Sequence, residues 1–287
     1  MPLSSRVARR PKTGAGADLS QPARRKRAPA EGLPDAAADS PDFITALARG
    51  LQVLRCFQPG VAALGNQDLA RLTGLPKPTL SRITYTLTSL GYLRYHADSG
   101  KYSPGYGVLA LGYGLLANLE VRQLARPGME QLAQETGAAV ALGTFDVDAM
   151  LYVEAVHGSS ALYLRLPVGY RVSLDSAMGR AYLAGLAQPR REALLERLGT
   201  RAPSPETVAR ACAEQRESGC CFAIGDWQAG INAVAVPFTP VTGEGRFVMS
   251  VGGPASLLPP DALRERIAPL LRETAGRLGS IHPSNEL

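Results

Sequence analysis

The stretch Leu64–Gly91, LGNQDLARLTGLPKPTLSRITYTLTSLG, followed at once by YLRYHADSGKYSP, constrains this chain most. Leu69, Ala70 and Leu72 give a first short helix its apolar side, and Gly74 ends it, because glycine enters the left-handed region without steric cost. Leu75-Pro76-Lys77-Pro78 cannot continue that helix, since proline lacks the N–H and clashes with the turn before it. Pro78 suits the first position of a new helix, where the missing N–H would have no partner anyway. That second helix carries Leu80, Ile83, Leu87 and Leu90 at helical spacing, one buried stripe. Its other side is Thr79, Ser81, Arg82, Tyr85, Thr86 and Ser89, and contains no acid. Gly91 closes it, and Asp98-Ser99-Gly100 turns a hairpin between Leu93–His96 and Lys101–Ser103. Two short amphipathic helices around a Gly/Pro turn are common packing units in their own right. With the hairpin and the acid-free polar ridge added, they read as a winged helix-turn-helix, whose second helix has the shape a DNA major groove admits.

Charge is distributed to match. Residues 1–40 carry a balance of +4, residues 41–107 another +4, and residues 108–287 only −2; every lysine lies at or before Lys101. Phosphate neutralisation dominates non-specific DNA affinity, so the basic excess sits where a groove-reading element sits. With 287 residues, the chain exceeds one ordinary domain, and a second, near-neutral body is expected behind the basic head. No signal peptide is visible, and the longest apolar run, near Gly107–Leu119, falls short of the ~20 residues of a membrane span. A cytoplasmic location and no membrane partner are expected. Cys56, Cys212, Cys220 and Cys221 form no C-x-x-C pair, and His96, His157 and His282 are scattered, so neither a metal nor a cofactor is expected.

Taken in order, residues 1–41 are rich in Pro, Ala, Gly and Arg without periodicity and read as a disordered basic tail. Its Arg24-Arg25-Lys26-Arg27 run either touches phosphates non-specifically or is simply solvated. Phe43–Phe57 places Ile44, Leu47, Leu51, Leu54 and Phe57 at helical spacing, the floor of the head domain, 42–104. A glycine-rich helix over Tyr106–Leu119 forms the linker, 105–120; it either packs across a dimer or is buried against its own domain. The second domain, 121–280, opens with a helix bearing Leu124, Met129, Leu132 and Ala133 and ended by Gly137, and a short tail, 281–287, follows it. Ala138–Phe145 and Ala149–Val156 read as a hairpin around Asp146-Val147-Asp148, with a third strand at Ala161–Leu166. Helices follow from Ser176 or Asp175 to Leu186, at Arg190–Leu198, and at Pro205–Ser218 with Ser204 as cap. Strands at Cys220–Ile224, Ile231–Phe238 and Phe247–Gly252 precede a closing helix from Pro260 to about Leu278. Hairpins interleaved with helices make an α+β domain built on an antiparallel sheet.

Enzymatic chemistry finds no foothold. His157, Glu154 and Ser159-Ser160 are neighbours in sequence but not a triad, G-x-S-x-G is absent, and no phosphate-binding glycine motif occurs. A binding site is better supported. Ser176-Ala177-Met178-Gly179 opens a helix with small residues, so its N–H groups and positive end can seat a carboxylate. Asp226-Trp227 and Asn232 lie in the loop entering one strand, and Ala233, Ser250 and Gly252 keep adjoining strands narrow-sided. These small residues either leave room for a ligand or permit close helix–sheet packing.

The segments FITALARGLQVLRCF, DLARLTGLPKPTLSRITYTLTSLGYL, KYSPGYGVLALG, LARPGMEQLAQETG, SLDSAMGRAYLAGL, GDWQAGINAVAVPF and SVGGPAS, in order over residues 42–280, resemble the isocitrate lyase regulator (IclR) family of bacterial transcription factors. The resemblance implies a winged-helix head, a connecting helix and a GAF/PAS-like α/β effector domain. It also implies dimers, in part paired into tetramers, on palindromic promoter sites, and a small organic acid held between sheet and loops. Positions matching that pocket are Leu164, Leu166, Ala177, Met178, Ala223, Ala233, Ser250 and Gly252; Ala233 and Gly252 depart from more polar versions of the pattern. FITALARGLQVLRCF and ALGYGLLANLEVRQLARP further resemble the branch regulating protocatechuate and para-hydroxybenzoate breakdown.

The expectation is therefore a ligand-responsive, DNA-binding regulator of a catabolic operon and not an enzyme. Lys77, Pro78, Thr79, Ser81, Arg82 and Tyr85 would meet the groove, Arg94 and Lys101 the phosphates, and Gly179, Asp226 and Asn232 would join the pocket positions above. The competing reading is a small-molecule enzyme or sensor whose winged helix serves protein contacts.

Overall fold

The computed structural model describes residues 41–58, 60–159 and 167–281. The basic N-terminal tail through residue 40, the strand expected at Ala161–Leu166 and the end of the C-terminal tail lie outside these residues.

Three helices, α1 (Thr45–Arg55), α2 (Asn66–Thr73) and α3 (Lys77–Ser89), pack with a small antiparallel sheet of β1 (Leu64–Gly65), β2 (Leu93–His96) and β3 (Lys101–Pro104) in the order β1-β3-β2. β1 is too short to show alternation in the sequence and was not expected; Leu64 pairs with Tyr102. Val53, Leu64, Leu69, Leu80 and Leu93 form the core. Gly74 ends α2 at φ +69, its N–H donating to the Ala70 carbonyl. Pro76, in extended backbone, is the N-cap of α3, which puts Pro78 second in the helix rather than first. Both positions lie in the first turn, where no N–H has an intrahelical acceptor, so the proline is equally well tolerated.

The apolar stripes are narrower than the spacing implied. Leu72 and Leu90 are exposed. Leu90 is the C-cap of α3, beyond the last packed turn, and Thr84 is buried in the α3 stripe instead. Burial of a hydroxyl needs an acceptor, and Thr84 Oγ1 donates to the Leu80 carbonyl at 3.0 Å.

Helix α4 (Tyr106–Ala117) starts hard against the wing: a Cβ on Gly105 would lie 2.1 Å from the Gly91 carbonyl oxygen. No residue of α4 is buried, and Leu109, Leu111, Tyr113 and Leu115 are all exposed. Leu116, near its end, packs half-buried against the core of the second domain; the other leucines and Tyr113 are not buried against the chain.

Helix α5 (Glu120–Thr136) follows, ended by Gly137 at φ +68. Of the apolar residues it bears, Leu124 is exposed, while Met129, Leu132 and Ala133 are buried. The sheet behind it runs β10-β8-β9-β4-β5-β6, with β7 also on β8. Its strands are β4 (Ala139–Asp146), β5 (Ala149–Val156), β6 (Arg171–Val172), β7 (Cys221–Ile224), β8 (Ile231–Pro240), β9 (Phe247–Pro254) and β10 (Gly279–Ser280). All pairings are antiparallel.

Alternation along these strands sorts residues by size. One face carries Val140, Leu142, Val234, Val236, Phe238, Phe247, Met249 and Val251, packed with α5 and with α10 (Ala268–Gly276), which the short α9 (Pro260–Ala262) precedes. A π-helical turn, Leu263–Ile267, joins these last two in place of the uninterrupted helix expected. The other face carries Ala141, Ala223, Ala233, Ala235 and Val248, facing α6 (Ala177–Gly185) and α8 (Pro205–Ser218). Helix α7 (Gln188–Leu198) lies between those two in sequence. Burial pushes the Cys220 thiol on β7's approach up to about 12 and its neighbour Cys221 well above the ordinary value, so both are neutral packing groups. No helix among the described residues is long and apolar enough to cross a membrane.

The start of α5 is fixed by Glu244 in the β8–β9 loop. Its carboxylate accepts from the Glu120 N–H at 2.7 Å and the Val121 N–H at 2.8 Å, and Thr242 Oγ1 donates to it at 2.6 Å. Desolvation raises the carboxyl's pKa, but these hydrogen bonds to the charged form outweigh it and hold the group below its ordinary value. A carboxyl lowered by folding contributes stability above its unfolded pKa and loses it as pH falls through the folded one. Urea melts should show Glu244→Ala costing about 1 kcal/mol at neutral pH, the scale of a lost helix cap. Glu244→Gln should flatten the decline in stability on acidification below the usual carboxylate range.

Candidate functional site

Two surfaces carry chemistry. On the head, Lys77, Pro78, Ser81, Arg82 and Tyr85 are exposed along α3, with Thr79 half-buried at its start. Tyr85 is 75% exposed while Leu80 and Thr84 of the same helix are fully buried, so the helix shows this ridge outward from a packed face. Arg94 and Lys101 are exposed on the two strands of the wing; Lys101 pairs with His96 at the tip, and Arg94, paired with Ser103, lies two register steps further from it. The Arg94 guanidinium lies 5.4 Å from the centroid of the Tyr106 ring, a cation–π contact that orients it toward the start of α4. With no acid in α3, hydroxyls, two cations and an aromatic ring are what this ridge presents.

The second surface is a cavity on the small-residue face of the larger sheet. Ala139 and Ala141 from β4, Ala233 from β8, and Ser250 and Gly252 from β9 make its floor; Ala177 and Met178 from α6 its roof. Val140, Tyr152, Ala155, His157, Ser176, Trp227 and Ile231 complete the lining. Its volume is about 40 Å³, room for roughly three water molecules. None of the described lining residues is Lys, Arg, Asp or Glu. Polarity comes from three sources. Tyr152, buried on β5, shares a hydrogen bond with the Ser250 hydroxyl; desolvation and then the neighbouring Tyr170 push its pKa well up, so it stays a neutral phenol. The N-terminus of α6 supplies the positive end of a helix dipole, its cap formed by Ser176 Oγ, which accepts from the Gly179 N–H at 3.2 Å and donates to the Ser173 carbonyl at 2.7 Å. Trp227 and His157 add an indole and an imidazole.

Comparison with known proteins decides what kind of molecule holds these two surfaces. The family model for the IclR helix-turn-helix domain matches residues 46–97, and that for the "Bacterial transcriptional regulator IclR C-terminal" matches residues 113–279, more than half of the chain. The chain belongs to the IclR family of bacterial transcriptional regulators. It is thus a DNA-binding regulator and not an enzyme. This IclR-family chain is 33% identical to the HTH-type transcriptional regulator TsaQ1/TsaQ2 of Comamonas testosteroni, over 80% of this chain and 86% of that one. Among solved structures it is similar to an IclR family transcriptional regulator from Brucella abortus, at 42% identity and a TM-score of 0.76, over 83% of this chain and 92% of the other. It is also similar to an IclR homologue from Microbacterium hydrocarbonoxydans complexed with 4-hydroxybenzoate, at 26% identity and a TM-score of 0.64, over 80% and 96% of the two chains.

Of the pocket residues expected from the sequence of this IclR-family chain, Ala177, Met178, Ala233, Ser250 and Gly252 line the cavity, and Leu164 and Leu166 lie outside the described residues. Four others do not line it. Gly179 is a packing glycine: a Cβ there would sit 2.3 Å from the Leu174 Cα. Ala223 is buried in β7, paired with Ala233 in the adjacent strand. Asp226 is held by two arginines, Arg180 Nη1 at 2.9 Å and Arg210 Nη2 at 2.6 Å, and accepts from the Ile224 N–H, so its role is ionic packing. Asn232 shares the parity of Val234 and Val236, which turns it to the opposite face, where Nδ2 donates to the Leu258 carbonyl at 2.8 Å. Tyr152, Ala139, Ala141 and Ala155 were missed. The alternation of small residues in VALGTF and of Met150 with Tyr152 would have found most of them, had the two faces been compared for size. Gly179→Ala should destabilise the protein by about 1–3 kcal/mol through overpacking, whereas Gly252→Ala, whose Cβ would find its nearest atom at an ordinary 3.4 Å, should leave the thermal midpoint unchanged.

Proposed function

We propose that this regulator acts as a dimer on a palindromic promoter site and that a small organic carboxylate, aromatic in preference, sets its DNA affinity from the cavity beneath α6. The observation that carries the reading is the cavity: a floor of Ala, Gly and Ser, no Lys, Arg, Asp or Glu among its described lining residues, and a capped helix N-terminus at its edge. A carboxylate placed there meets the helix dipole without a competing acid, while flat apolar walls and Trp227 accept a ring. The relative solved with 4-hydroxybenzoate supports the aromatic class. At its present volume the cavity is closed to a ring. Met178, whose sulfur fills the space that a Cβ on Gly143 would occupy, is unbranched and adaptable, and its rotation is the motion that admits one.

Dimerisation through α4 is supported by its exposed leucines and tyrosine, which no part of the described chain covers. The chain then divides in function into a head, 42–104, a linker, 105–120, and an effector domain, 121–280. On DNA, Lys77, Pro78, Thr79, Ser81, Arg82 and Tyr85 face the major groove, with Arg82 bidentate to a guanine, and Arg94 and Lys101 hold phosphates from the wing. Ligand control requires different effector affinities in the DNA-competent and incompetent forms, because equal affinity shifts nothing.

Binding-site selection should show Arg82→Ala losing about 1–3 kcal/mol of discrimination at one base pair, with Lys101→Ala weakening all sequences alike and reducing the salt slope by about one. Equal behaviour of the two variants would refute the assignment. Gly252→Leu should abolish calorimetric binding of 4-hydroxybenzoate while leaving promoter affinity without effector within about twofold; normal effector binding by that variant would place the ligand elsewhere.

A further inference from the structure

Strand β5 changes the rule of alternation part-way along. Its register with β4 pairs Gly143 with Tyr152 but Leu142 with Glu154, so Val153 is the extra residue of a β-bulge. Before the bulge, Met150 and Tyr152 face the small-residue side; after it, Ala155 does, and both Tyr152 and Ala155 line the cavity. The two residues between them turn together to the opposite face. Val153 joins the core beneath α5, and its carbonyl accepts from Arg122 Nε at 3.2 Å. Glu154, its side chain only 4% exposed, meets Arg122 Nε at 2.9 Å and Arg126 Nη1 at 3.3 Å, while its other oxygen accepts from the Ala155 N–H at 3.0 Å. Unbroken alternation would have put Tyr152 and Glu154 on one face and a carboxylate inside the cavity. The bulge gives four consecutive residues two tasks, cavity wall at the ends and a grip on α5 in the middle.

That grip falls on the first two turns of α5, three residues after α4 ends. The same turns are capped by Glu244, whose loop leads into β9 and so to Ser250 and Gly252 on the cavity floor. Of the two carboxylates that hold the start of α5, Glu154 therefore stands on a strand that lines the cavity and Glu244 in the loop that leads into another. A buried carboxylate cannot drift from its guanidinium partners without leaving charge uncompensated, so the strand and the helix move as one.

We propose that Glu154 is the positioning residue that carries a displacement of the Tyr152 wall to α5, and through it to the α4 linker. The proposal rests on the cavity being the effector site. Its test uses the full chain, hydrogen–deuterium exchange over residues 120–127, and affinity for its own upstream promoter fragment, each with and without 4-hydroxybenzoate. In the wild type the acid should change exchange in those turns and shift DNA affinity at least about fivefold, the low end of allosteric coupling. Glu154→Gln should bind the acid and, without it, the DNA within about twofold of wild type, yet lose both the exchange change and the shift. Arg122→Gln, made on the partly solvated side of the pair, should do the same and decides the matter if the buried variant does not fold. A Glu154→Gln or Arg122→Gln protein that keeps the full shift overturns the proposal. An arm that needs no ligand separates it from the cavity reading. Ser250→Leu removes the hydroxyl paired with Tyr152, and should alter exchange at 120–127 in the wild-type background but add nothing to Glu154→Gln. Additive effects in that cycle overturn the coupling even if 4-hydroxybenzoate never binds, whereas coupled effects with no binding of the acid overturn only the choice of effector class.

Discussion

The inequality between the two faces of the seven-stranded sheet is the constraint from which the rest follows. Large aliphatic and aromatic side chains on one face fill the space against α5 and α10, and this side carries the larger of the domain's two clusters of buried residues. Alanine, glycine and serine on the other cannot fill the distance to α6, so a void persists there unless a larger residue reaches in. Met178 does so only because Gly143 has no Cβ. A sheet with equal faces would be more stable and would have nowhere to put a ligand.

Polar groups inside the domain are spent on holding the elements around that void. Arg180 on α6 is only 3% exposed, and its Nη1 donates to the Phe222 carbonyl at 2.8 Å as well as to Asp226. Removing one partner of such a pair costs about 3–5 kcal/mol, because the other is left charged and desolvated. The ion pair therefore fixes the roof of the cavity relative to β7, much as Glu154 and Glu244 fix α5 on the opposite side. Asp146 and Asp148 do comparable work at the β4–β5 turn, where both meet Arg171 and Asp148 also meets Arg201 at 2.5 Å. These paired arginines and acids belong to the frame, and none of them is among the described residues lining the cavity.

Much of this architecture was legible in the residues. Proline and glycine punctuation located α2, α3 and the wing within a residue or two, because those residues act through local sterics. Ser176 and Ser204 announced the starts of α6 and α8 by the same local chemistry, each accepting a hydrogen bond from the N–H three residues on. What stayed hidden was set by long-range pairing. Strand β1 owes its existence to Tyr102, some forty residues away, and β6 and β10 are equally short. The bulge at Val153 is invisible without its partner strand, so the opposite fates of Tyr152 and Glu154 could not be read. Asn232 and Asp226 looked like ligand donors because they are polar beside a strand; only the parity of β8 and the position of Arg180 show them engaged elsewhere. Gly179 looked like an opening and is a contact.

Trp227 is the only tryptophan in the chain and it lines the cavity, so its fluorescence reports occupancy directly. Titrating the full-length protein with 4-hydroxybenzoate and with benzoate, each against its amide, tests whether an aromatic carboxylate enters at the N-terminus of α6. The account predicts a saturable change in Trp227 emission with the acids and none with the amides, which lack the charge the helix end would hold. Equal saturation by acid and amide, or acid binding detected by calorimetry with Trp227 unperturbed, would contradict it.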